Sequence, residues 1–141
     1  MPRPLTLHPD RLFPADPALR SLTRALYATV ADAPILSPHG HTDPQWFADN
    51  APFGNATDLL LKPDHYLFRM LYSQGVPLEQ LGIGNPDADP RAAWRLLAQR
   101  YHLFRGTPSR IWLDWVFAQA FGIQVQLDAS TADHYYDHIT T

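Results

Sequence analysis

Hydrophobic positions recur along the chain at two spacings, and most of them fit helices. Leu19, Leu22, Leu26 and Val30 repeat every three to four residues. Asp16 offers a capping carboxylate and Pro17 suits a first helical turn. A helix is therefore predicted over 17–31, and Pro34 prevents its continuation. Residues 42–62 lack a clear period and read as irregular with short helical pieces. Asp64 opens a helix over 64–73, with Gly75 just past its end. Asp89-Pro90 starts another, whose Trp94, Leu97, Tyr101 and Phe104 share one face before Gly106 ends it. Thr107-Pro108 starts the next, closed by Gly122. Ser130 and Asp133 have the spacing of a capping box for a final helix.

Two segments depart from ordinary amphipathic patterning. From Ile111 to Phe121 nine of eleven residues are apolar, only Asp114 and Gln119 being polar. A helix apolar nearly all round is expected to be buried nearly all round. The run Ile35-Leu36 before Ser37-Pro38-His39-Gly40-His41 is too short for a helix and reads as a buried strand over 34–39. The expected fold is mainly α with one short buried strand.

Composition narrows the function classes. The 141 residues are 45% hydrophobic and 18% charged, which is a globular balance. A net charge of −3 gives no electrostatic footprint for nucleic acid or an anionic membrane. No run approaches the length of a membrane span. The N-terminus has no secretory h-region, and a cytoplasmic location is expected. With no cysteine, a metal site has to use histidine and carboxylate. The 14 prolines are dispersed and mark helix starts and turns.

The main chemical signal is His39-Gly40-His41. Residues two apart on a strand project from one face, so two imidazoles can grip one ion. Neutral imidazole suits borderline divalent metals: zinc first, with manganese or iron as alternatives. By itself H-x-H is also common on loops. His39-Gly40-His41-Thr42-Asp43 further begins like the H-x-H-x-D-H of a metal-dependent hydrolase, but Pro44 stands where that motif needs histidine. A second constellation is His65, Tyr66 and Arg69, which helical spacing brings together at i, i+3 and i+4. Arginine can hold a carboxylate, while histidine and tyrosine can bond hydroxyls or move protons. A solvated polar face is the plainer reading. His8, His102 and the i, i+4 pair His134 and His138 carry weaker signals.

Four stretches together resemble one family. They are Leu7-His8-Pro9-Asp10-Arg11-Leu12-Phe13, Pro34 to Pro44 around the H-x-H, Asp64-His65-Tyr66-Leu67-Phe68-Arg69-Met70-Leu71-Tyr72-Ser73-Gln74-Gly75, and Thr107-Pro108-Ser109-Arg110-Ile111-Trp112-Leu113. The chain resembles the N-terminal region of uronate (glucuronate) isomerases of the amidohydrolase superfamily. The resemblance implies a metal-dependent (β/α)8, or TIM-like, barrel. Residues 1–33 would be an N-terminal arm and helix, 34–41 the first barrel strand, and 42–141 a helical insertion. It implies metal ligation by His39 and His41, and His65 and Tyr66 at the substrate end, with Arg69 a substrate-binding candidate. The implied reaction is aldose–ketose isomerisation of hexuronates through an ene-diol. The divalent metal would be a Lewis acid, and the full-length protein a homo-oligomer. Such a barrel takes about 250 residues. The resemblance thus places a later metal ligand and most catalytic groups beyond residue 141, and the isolated chain is expected to be inactive. The alternatives are a free-standing helical binding module and a metal-dependent hydrolase with an H-x-H site.

Overall fold

The computed structural model describes residues 1–37, 39–40 and 42–140. Among the described residues there are six α-helices: α1 Pro17–Ala28, α2 Pro44–Asp49, α3 His65–Ser73, α4 Pro90–Arg100, α5 Pro108–Gln119 and α6 Ala132–Thr140. A π-turn at Thr57–Leu61 and 3-10 turns at Leu78–Leu81 and Tyr101–Phe104 complete the order.

Local chemistry explains most boundaries. Asp16, Asp43, Asp64, Asp89 and Thr107 each accept a hydrogen bond from a backbone N–H of the first turn they cap. Proline follows directly at α1, α2, α4 and α5, where its missing N–H costs nothing. Gly75 and Gly106 take positive φ of 84° and 79° just beyond helical segments, a conformation that a side chain would disfavour. The predicted capping box does not form. The Ser130 hydroxyl donates to Asp128 Oδ1 at 2.6 Å, and α6 begins only at Ala132.

The chain divides into two compact units, Thr6–Gly40 and Met1–Leu5 with His41–Thr141. In the larger, α4 is central. Ala93, Trp94, Leu97 and Ala98 are buried, and Tyr101 and Phe104 extend the same face through the 3-10 turn. Phe117 of α5 meets Trp94 edge-on at 6.4 Å between centroids and Tyr135 of α6 at 4.8 Å. The Trp94 indole N–H donates to the Ala132 carbonyl at 3.0 Å, so the ring is packed without stranding its donor. Thr57 Oγ1 donates to the Pro90 carbonyl at 2.6 Å, fastening the π-turn to the start of α4. Arg3 and Leu5 pair with Gln126 and Gln124 through backbone bonds of 2.7 and 2.8 Å.

In the smaller unit, Asp10 binds Arg24, which lies over the Phe13 ring, and Phe13 meets Tyr27 edge-on. The apolar repeat of α1 is present as predicted, yet α1 contains no buried residue.

Two further expectations are corrected. Among the described residues no strand forms; an isolated bridge between Pro4 and Val125 is the β-pairing seen. Residues 34–37, 39 and 40 are irregular, neither helix nor strand, and Ile35 and Leu36 are 91% exposed. A strand is stable only when its N–H and C=O groups are paired by a neighbouring strand, and among the described residues no such strand forms. Nor is α5 buried all round. Leu113 and Phe117 enter the core, while Ile111, Trp112 and Trp115 are exposed.

Candidate functional site

The site residues anticipated from sequence fall in both units. His39 belongs to the smaller one, in an exposed, irregular segment where the Ser37 hydroxyl donates to its carbonyl at 2.7 Å. His41, and with it the common face expected for the two imidazoles, lies outside the described residues.

His65 and Tyr66 open α3. Asp64 caps it, its Oδ1 accepting from the Tyr66 N–H at 2.8 Å, which fixes where the two rings begin. Leu67 and Leu71 on the next positions are fully buried and hold the helix against the core. This orientation turns Tyr66 outward. The His65 and Tyr66 rings lie side by side, 4.2 Å between centroids and tilted by 36°. Arg69 is exposed one turn further along. The ring contact therefore joins two of the three residues grouped by spacing. Tyr66 also lines a pocket of about 410 Å³ with Met70, Phe104, Thr107, Pro108 and Ser109. The result is a phenol and an imidazole at a helix start, beside a concavity floored by the turn into α5.

A polar network missed in the sequence joins the 3-10 turn at Tyr101–Phe104 to α5. Tyr101 donates to Asp114 Oδ1 at 2.9 Å, and Arg110 Nε donates to Asp114 Oδ2 at 2.8 Å. The guanidinium also covers the Tyr101 ring at 4.0 Å and donates to the Tyr101 carbonyl at 3.2 Å. Burial, aided by the Asp114 charge, pushes the Tyr101 hydroxyl far above the ordinary phenol range. It stays protonated and acts as a fixed donor. The i, i+4 spacing of Arg110 and Asp114 was the available signal.

Two imidazoles are fewer than the three protein ligands that a catalytic divalent centre commonly uses. Among the described residues no three His, Asp or Glu side chains gather where they could hold a metal ion. His39 and His41 have the right donor chemistry but do not by themselves make a complete site.

A family model described as glucuronate isomerase matches residues 18–141. The chain belongs to the glucuronate isomerase family. The uronate isomerase of Sphingopyxis alaskensis is 71% identical over 99% of this chain and 30% of its own length. That of Rhizorhabdus wittichii is 70% identical over 96% and 29%. The crystal structure of glucuronate isomerase from Caulobacter crescentus matches with a TM-score of 0.91 at 63% identity, covering 98% of this chain and 30% of that one. The uronate isomerase of Thermotoga maritima, at 25% identity, still gives 0.79. The chain thus spans about three-tenths of the length of the curated relatives it matches. Membership of this glucuronate isomerase family favours neither the free-standing binding module nor the H-x-H hydrolase. Among the described residues no helix is long and apolar enough to cross a membrane.

Proposed function

We propose that this chain forms part of the substrate end of a uronate isomerase catalysing aldose–ketose interconversion of hexuronates, such as D-glucuronate to D-fructuronate and D-galacturonate to D-tagaturonate. The observation that carries this reading is the family match across residues 18–141. The side chains suit such a substrate. An open-chain hexuronate presents hydroxyls, a carbonyl and a carboxylate. Tyr66 and His65, ring against ring at the start of α3, offer hydroxyl and imidazole groups to its oxygens. Imidazole can take up or release a proton near neutral pH, as transfer between C2 and C1 requires. Arg69 is suited to pair with the carboxylate. His39 and His41 would donate nitrogens to a divalent ion, zinc, manganese or iron, with further ligands coming from outside this set. Such an ion, when bound, supplies Lewis acidity.

The 141-residue chain alone, given D-glucuronate or D-galacturonate with Zn²⁺ or Mn²⁺, is expected to form no ketose above background. Robust turnover would show that it needs nothing further. Grafted in place of the matched segment of the Sphingopyxis enzyme, it is expected to support conversion. In that graft, His65→Asn is expected to lower kcat by about 100-fold, the low end for loss of a general acid–base group. A graft that melts cooperatively yet converts neither uronate would refute the proposal.

A further inference from the structure

The outer side of α6 carries chemistry that the isomerisation reading leaves unused. Ala132, Tyr135 and Tyr136 are buried, so the inner face of this helix is spent on the core. The Trp94 indole N–H donates to the Ala132 carbonyl, and the Tyr135 hydroxyl donates to the Val125 carbonyl. Arg91 and Arg95 hold Asp137 and Asp133. A helix pinned in this way is a fixed platform for the groups on its remaining face. His134 and His138 stand there, both exposed and one turn apart. Their ring centroids are 6.0 Å apart and the ring planes are tilted by 39°.

The His138 ring is held in a defined tautomer. Its Nε2 lies 2.6 Å from the Phe121 carbonyl oxygen, just beyond the end of α5. A carbonyl oxygen can only accept, so Nε2 carries the proton and the lone pair of the neutral ring falls on Nδ1. Metal-binding histidines are commonly held like this. One ring nitrogen donates to a carbonyl, which fixes the ring and makes the other nitrogen a stronger ligand. We propose that His134 and His138 form a two-imidazole site for a borderline divalent transition ion, with His138 ligating through Nδ1 while its Nε2–H stays on the Phe121 carbonyl. Cu²⁺ is the strongest occupant and Zn²⁺ a weaker one, following the usual order for nitrogen ligands. Mg²⁺ and Ca²⁺, which take oxygen donors, are not held. Ligation at about 2.0–2.1 Å from each nitrogen asks the rings to close by roughly 1 Å, a movement open to the exposed His134 side chain. Among the described residues no third His, Asp or Glu joins the pair, so water completes the coordination. The bound ion links two successive turns of α6, and through Phe121 the segment after α5. It therefore stabilises the folded chain by mass action.

Nitrogen NMR of the histidine rings tests this on the 141-residue chain. Before metal is added, His138 is expected to show the Nε2–H tautomer. Zn²⁺ is then expected to shift His134 and His138 together, with the change at His138 centred on Nδ1. Cu²⁺ titrations are made in a His39→Ala background, which removes the other histidine pair. There His134→Ala is expected to weaken binding by about tenfold or more. The rise in urea midpoint that Zn²⁺ produces is expected to vanish in the same variant. His134→Gln is expected to behave alike, and decides the matter should the alanine variant not fold. Zn²⁺ that leaves the His134 and His138 rings unmoved overturns the proposal. So does a Cu²⁺ affinity indifferent to replacement of His134, or ligation of His138 through Nε2. No sugar enters these measurements, so an inert graft would refute the isomerase reading alone and leave this site standing.

Discussion

Tyr101 shows how single residues in this protein do two tasks. Its ring fills the core below Phe117, and its hydroxyl holds one oxygen of Asp114 while Arg110 holds the other. Tyr101→Phe keeps the ring and removes only one donor from a carboxylate that retains its arginine. The expected loss is about 1 kcal/mol, the typical net worth of one hydrogen bond, read as a lower urea midpoint with unchanged slope. Sequence reasoning placed Tyr101 correctly on the apolar face of its helix but saw no partner for its hydroxyl. That partner comes from the following helix, and only the turn between them makes the meeting visible. Helical spacing grouped His65 and Tyr66 with Arg69, and the ring contact forms between the first two because neighbours at a capped helix start are fixed locally. The joint face expected of His39 and His41 was a statement about strand geometry, which depends on pairing with residues far away in sequence.

At the scale of elements, α4 and α6 are clamped by charge across their outer surfaces. Arg95 donates to both oxygens of Asp133 at 2.9 and 3.0 Å, and Arg91 bridges Asp133 and Asp137. The hydrogen bond from Arg95, more than any other influence, holds the Asp133 carboxyl below its usual range. A carboxyl depressed in the folded state stabilises the fold above its unfolded pKa, and that contribution is lost as pH falls through the lower folded value. Unfolding by urea at a series of pH values should therefore show a loss that begins below about pH 4. Arg95→Met is expected to be less stable than the parent above that point, with the two curves converging in stronger acid. The effect should shrink in high salt, since the pairs are solvent-exposed. The caps that start α1, α3, α4 and α5 were legible because each needs only a few adjacent residues. The Arg91–Arg95 and Asp133–Asp137 clamp spans some forty positions and left no local trace.

For the molecule as a whole, stability is concentrated around α4. Leu97 is fully buried there, whereas Leu22 of α1 is exposed although both occupy apolar repeats. Leu97→Ala is expected to cost about 2–5 kcal/mol in denaturant unfolding followed by circular dichroism. Leu22→Ser is expected to change the result by no more than about 0.5 kcal/mol. Hydrophobic spacing thus announced both helices but did not reveal which would be covered, because burial depends on what packs against a face. The same reason accounts for the exposed Ile35 and Leu36 and for the outer ridge of α5.

The backbone pairing of Arg3 and Leu5 with Gln126 and Gln124 has a consequence for biosynthesis. Arg3 and Leu5 cannot take their places until those partners have followed them out of the exit tunnel. During translation this short segment must wait, unzipped, until all of the intervening polypeptide has been made.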